Sequence, residues 1–199
     1  MAPEASQPTP AFGFLTAVED AQHGFFGGYL VLSERGRPLE FHCSTPVLAS
    51  QAQQILYGAS LRPYLLGELI GEILVAKSQL PVQAVLTDLE EMQSLALLRS
   101  EAVAWLRPNE TTSALPPSPN EPTLALPRPV APELTLGNYR LSGSTTCHWQ
   151  ADWLRDTLAP LATHVDLMEP FERIREAIRE AQRVTEPMGD NEHESSAAA

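Results

Sequence analysis

The sequence predicts an α+β fold: an antiparallel β-sheet with a β-hairpin, covered by helices, plus a C-terminal amphipathic helix. Three observations carry that prediction. Two β-rich runs, Tyr29–Ser33 and Leu39–Thr45, flank the short loop Glu34-Arg35-Gly36-Arg37-Pro38, which is hairpin spacing. The apolar period then lengthens: Leu61, Leu65, Leu69 and Ile73 recur along one helical face, with Leu66, Ile70 and Leu74 beside them. Near the C-terminus Leu167, Phe171, Ile174, Ile178 and Ala181 recur at 4-3-4-3 spacing, a narrow apolar stripe between charged flanks.

Taken in order, residues 1–11 read as a disordered lead-in, and Phe12–Glu19 alternates as a strand. Gly24, Gly27 and Gly28, punctuated by Phe25 and Phe26, read as a glycine-rich joint. In the hairpin loop Gly36 suits a positive φ, and Pro38, lacking an N–H, belongs at a strand start or an outer edge. Ala49–Leu56 and Leu61–Ser78 read as helices, with Ser60 as an N-cap and Pro63 tolerated in the first turn. The spacing Gly67-x-x-x-Gly71 lets the second helix approach the sheet closely, while Glu68 and Glu72 read as a solvated stripe. Pro81–Thr87 is a short apolar run of the kind found in well-covered strands. Asp88, with Glu91 three residues on, reads as a capping-box start for a helix through Leu98, and Ala102–Leu106 as a further strand. These elements sum to an α+β domain over residues 12–106.

Eight prolines fall between Pro108 and Pro132, so 107–134 reads as a proline-rich linker. Residues 135–184 follow as a small helical segment, with a strand at Tyr139–Ser142 and helices at Trp149–Leu158 and Leu167–Val184. In the last helix Glu169–Arg173 is an i,i+4 pair, and Glu172–Arg175, Glu176–Arg179 and Glu180–Arg183 are i,i+3 pairs. Residues 185–199 read as a disordered acidic tail.

Charge narrows the function classes. The 199 residues carry 25 Asp+Glu against 13 Lys+Arg, a net charge of −12. That argues against binding nucleic acid or an anionic membrane, since both need a positive surface. No stretch approaches the roughly 18 continuous apolar residues of a membrane span, and the first ten residues lack the pattern of a secretory signal. A cytoplasmic location is therefore expected. No phosphate loop, dinucleotide fingerprint, HExxH or Gly-x-Ser-x-Gly elbow is present, and no cofactor is expected.

Three constellations could carry chemistry. Glu40 and His42, two apart on a strand, share one face and form a candidate acid/base pair; on the usual one-face-wet pattern that face is solvated. Asp88 ends a core strand just before a helix, where catalytic carboxylates of α/β sheets often lie. His42-Cys43 and Cys147-His148 supply four zinc-compatible side chains, but strand alternation sends His42 and Cys43 to opposite faces, which disfavours one shared ion. The same alternation groups Cys43 with Leu39 and Phe41 on the apolar face and reads it as buried. Cys147 beside His148 is a candidate thiol nucleophile.

The block GGYLVLSERGRPLEFHCSTP (27–46), with ILYG at 55–58 and AVLTD at 84–88, resembles an uncharacterised bacterial protein family of unknown function. The resemblance covers about residues 12–88. It implies a bacterial cytoplasmic protein and brings no activity or site residues.

Two functions follow as expectations. The first is a non-enzymatic interaction or assembly module whose C-terminal helix offers Leu167, Phe171, Ile174 and Ile178 to a protein partner or to a second copy, or docks on its own N-terminal domain. The second is a ligand-binding or hydrolytic domain, its polar site formed by convergence of Glu40, His42 and Asp88.

Overall fold

β1 (Ala11–Asp20) and β2 (Gly24–Ser33) pair antiparallel along their full lengths, and β3 (Pro38–Cys43) continues the meander on the outer side of β2. The chain then crosses the sheet. The computed structural model, which describes residues 10–109, 131–147 and 149–185, carries it through α1 (Gln51–Tyr57), a short 3₁₀ turn and a helical rod over residues 61–77. The rod comprises α2 (Leu61–Pro63), a π-helical segment (Tyr64–Gly71) and α3 (Glu72–Lys77). β4 (Ala84–Thr87) lies beside β1, and a 3₁₀ helix (Glu90–Leu97) leads to β5 (Ala102–Pro108). β6 (Glu133–Leu136) and β7 (Tyr139–Ser142) form a further hairpin, followed by α4 (Ala151–His164) and α5 (Glu169–Thr185).

The result is a seven-stranded sheet in the order β3-β2-β1-β4-β5-β7-β6. The α+β outline holds, but the sheet is mixed: β4 runs parallel to both β1 and β5, while the outer pairs are antiparallel. Parallel neighbours need a crossover, which the rod supplies between β3 and β4 and the 3₁₀ helix between β4 and β5. β7 pairs with β5, so the strands on either side of the proline-rich segment share this one sheet. Residues 1–9, 110–130 and 186–199, which hold most of the expected lead-in, linker and tail, lie outside the described residues.

Strand alternation divides the side chains into two cores. Phe12, Phe14, Leu30, Leu32, Leu86 and Leu106 face α4 and α5; Leu15, Tyr29, Val31, Val85 and Val103 face the rod and the 3₁₀ helix. The glycines read as a joint are strand residues of β2, and two of them let both helical layers come close. A Cβ on Gly27 would stand 2.1 Å from Ile70 Cγ2 of the rod, and one on Gly28 would stand 2.2 Å from Ile174 Cγ2 of α5. Adjacent residues point to opposite faces, so one glycine serves each layer. Gly71 packs near Leu15 of the sheet, as the Gly-x-x-x-Gly spacing implies, whereas Gly67 abuts Ser94 and Leu95. Without side chains there, the backbone has room to widen into π geometry.

Local signals fared unevenly. Gly36 has φ +75° in the β2–β3 turn, and Ser50 caps α1 in a reciprocal capping box with Gln53. Ser60 makes no cap; its hydroxyl donates to the Tyr57 carbonyl. Asp88 does not cap the following helix either. Leu89 occupies the N-cap of a 3₁₀ helix, and the Asp88 side chain turns to α5.

Candidate functional site

Glu40 and His42 stand two apart on β3 and meet, Oε2 to Nε2, at 3.2 Å. They face the rod, because their cross-strand partners Val31 and Tyr29 belong to that core. The Glu40 carboxylate also accepts from the Ser78 hydroxyl at 2.7 Å and from the Gln79 amide at 3.2 Å. Partial burial pushes its pKa up, but the bonds from Ser78, His42 and Gln79 outweigh that and hold it below the usual carboxylate range. With its lone pairs engaged at the exit of α3, Glu40 is a clasp between β3 and the rod.

Asp88 lies at the carboxyl end of the central parallel strand β4. Its Oδ2 pairs with the Arg175 guanidinium of α5, and its carbonyl accepts from the Trp105 indole at 3.3 Å. Extending the β1–β4 register by one residue sets Thr16 beside Asp88, and both Thr16 Oγ1 and Asp88 Oδ1 are buried without a hydrogen-bond partner among the described residues. The pair ties α5 to the sheet.

The shared site of Glu40, His42 and Asp88 does not form. β3 and β4 are separated by β2 and β1, three spacings that total roughly 14 Å. The side chains also face opposite ways, Asp88 toward α5 and the other two toward the rod. Hydrogen-bond reach is about 3 Å, so the hydrolytic reading loses its geometry.

The cysteines separate similarly. Cys43 sits on the edge strand and Cys147 beside the Val103 carbonyl of β5, four strand spacings or roughly 19 Å across the sheet. The zinc set therefore does not assemble; His148 lies outside the described residues, among which no cluster of three or more His, Cys, Asp or Glu forms. Burial pushes the Cys147 thiol up, which works against a reactive thiolate. Cys43 is exposed rather than buried, because the apolar face of β3 extends beyond the cover of α5.

A cavity of about 430 Å³ opens at the start of β5, lined by Arg99, Glu101, Cys147, Trp149, Gln150 and Trp153. Its charges cancel: Arg99 bonds Glu101 at 2.7 Å and Glu72 at 3.4 Å. Burial raises the Glu101 pKa, but Arg99 outweighs it and holds the group ionised. The Trp149 indole is spent on the Val103 carbonyl at 3.0 Å.

The expected interaction residues are core. Leu167, Phe171, Ile174 and Ile178 are 0–2% exposed, packed on β1 and β2, with Phe171 edge-to-face on Phe14 at 5.5 Å between ring centroids. They cannot face a partner while α5 is docked. Uncovered apolar side chains lie elsewhere: Ile73, Leu97, Leu98 and Trp153 are scattered over the rod, the 3₁₀ helix and α4, and a further group follows β3 into α1. On β3, Leu39 and Phe41 are 45% and 41% exposed; on α1, which buries no residue, Ile55 and Leu56 are 75% and 81% exposed, and Leu48 just before it is also bare. β3 ends the strand order, and Val47 pairs with Phe25 further along the same edge of β2, after which the chain enters α1. Sequence reasoning had Leu39, Phe41, Ile55 and Leu56 in elements but not on a surface, and assigned Leu48 to no element.

Compared with protein-family models, with curated proteins and with solved structures, the chain finds no match. Among the described residues no helix is long and apolar enough to cross a membrane.

Proposed function

We propose that the protein is a non-enzymatic interaction or assembly module that works through the β3–α1 border rather than through its C-terminal helix. The observation that carries this reading is the exposure of Leu39 and Phe41 on the edge strand and of Leu48, Ile55 and Leu56 in the segment that follows it. Apolar groups exposed together cost free energy unless something covers them, at about 25 cal/mol per Å². β3 adds a strand edge with no partner strand among the described residues, a ready template for a further strand. The polar clusters give no competing reading: Glu40 is clasped, Asp88 is paired, and Arg99 and Glu101 neutralise each other.

Carbene footprinting tests the reading by comparing dilute purified protein with the same chain expressed in native cells. Labelling of Phe41, Ile55 and Leu56 is expected to fall several-fold in cells, while Trp153, exposed on α4, keeps its labelling. Equal labelling of all four in both settings would sink the proposal.

A further inference from the structure

We infer that a buried water molecule binds between β1 and β4, bridging the Thr16 hydroxyl and the Asp88 carboxylate beneath α5. The inference stands apart from the interaction reading above. β1 and β4 run parallel, with Phe14 opposite Leu86 and Leu15 opposite Thr87. Phe14 and Leu86 belong to the core under α5, so alternation turns Thr16 and Asp88 to that same side one step further along. Thr16 is fully buried, and the Asp88 side chain is 6% exposed. Arg175 satisfies Asp88 Oδ2, but Asp88 Oδ1 and Thr16 Oγ1 bond nothing among the described residues. A buried hydroxyl and a buried carboxylate oxygen are both costly to leave unbonded.

Spacing, walls and charge select the ligand. Adjacent strands lie about 4.8 Å apart, well beyond the roughly 2.7 Å of a direct O–H···O bond. Two such bonds meeting at one tetrahedral oxygen span about 4.5 Å, so a single water fits between the two side chains. The walls exclude anything larger. Thr16 pairs on its other side with Gly28 of β2, and a Cβ on Gly28 would stand 2.2 Å from Ile174 and 3.0 Å from Ile178 of α5. Toward β5, the same one-residue extension of register sets the fully buried Leu106 beside Asp88. The Arg175 guanidinium already neutralises the carboxylate and repels a cation, while the carboxylate repels an anion. Water meets both needs at once: it accepts from the Thr16 O–H and donates to Asp88 Oδ1, and two polar partners are within the range that buried waters use. α5 is then tied to β1 as well as to β4, by a polar chain that runs from Arg175 through Asp88 and the water to Thr16.

Oxygen-17 relaxation dispersion of the full chain counts long-lived waters without interference from exchanging hydroxyl protons. Thr16→Val, which keeps the shape and removes the hydroxyl, is expected to lower that count by one, and Thr16→Ser, which keeps the hydroxyl, is expected to leave it at the wild-type value. An unchanged count in Thr16→Val overturns the bridge. Loss in both variants assigns the change to packing and overturns it too. A high-resolution crystal structure of the wild type reads the site even if Thr16→Val does not fold. A water peak within about 3.2 Å of both Thr16 Oγ1 and Asp88 Oδ1 is expected. A direct Thr16–Asp88 hydrogen bond, or no peak between them, overturns the inference.

Discussion

α5 and the β3–α1 border both carry a one-sided apolar pattern, and the fold treats them oppositely. In α5, Leu167, Phe171, Ile174 and Ile178 fill the core over β1 and β2; on the border, Phe41, Ile55 and Leu56 stay in solvent. Amphipathicity states that a face will be covered, and leaves open what covers it. The deciding difference is what the rest of the chain can bring. Gly28 clears the sheet for α5, where any Cβ would collide with Ile174, and Arg175 reaches Asp88 to fix the helix. β3, the last strand in the order, has neither a helix above its apolar face nor a strand beyond it among the described residues.

The most severe way to break this contrast is to truncate a phenylalanine in each region. Phe171→Ala removes a fully buried ring and its edge-to-face contact with Phe14, and is expected to lower stability by about 3–5 kcal/mol. Phe41→Ala, measured by urea unfolding, is expected to cost less than about 1 kcal/mol. Comparable losses would mean that β3's outer face belongs to the core after all.

A smaller effect tests how α5 is admitted. Gly28→Ala forces a methyl to within 2.2 Å of Ile174, and overpacking of that kind typically costs about 1–3 kcal/mol. In an Ile174→Ala background the same substitution is expected to cost much less, because the colliding methyl is gone. A double-mutant cycle of thermal unfolding reads the coupling, and full additivity would remove Gly28 as the gate for α5.

These two regions also show where the sequence was legible. The β2–β3 hairpin and its positive-φ Gly36 and the last helix were readable because each is set by contacts within a few residues. The rod was readable as a helix, but its buried face is Leu66, Ile70 and Leu74 rather than the row ending in Ile73, which is exposed. The parallel centre was not readable, since β1, β4 and β5 become neighbours only through crossovers, and strand order has no local signature. Gly27 and Gly28 looked like a joint because a glycine chosen for close approach and one chosen for flexibility are the same letter. Asp88 had the spacing of a cap, but its partner Arg175 lies 87 residues away. Glu40 and His42 were paired correctly; their solvated face turned out to lie against Ser78 and Gln79.

That clasp yields the smallest prediction and the one that sharpens the contrast most, because it explains how an edge strand with a bare apolar side stays on the sheet. Glu40 holds β3 to the exit of α3, and its folded pKa lies below the ordinary 4.5, the Ser78 hydroxyl being the largest of the bonds that lower it. A carboxyl lowered in the fold contributes stability that is present above its unfolded pKa and is lost as pH falls through the folded value. Ser78→Ala is therefore expected to cost about 0.5–1 kcal/mol at pH 7, the usual worth of one partly exposed hydrogen bond. The difference from wild type should shrink through the acid range below about pH 4.5 and disappear once Glu40 is protonated in both proteins. Hydrogen exchange at His42 and Ser44 should quicken in the variant at neutral pH while exchange in β1 and β4 stays the same, since the clasp anchors the edge strand alone. A pH-independent Ser78→Ala deficit would assign the loss to packing at the end of α3 and leave β3 held by its ladder with β2.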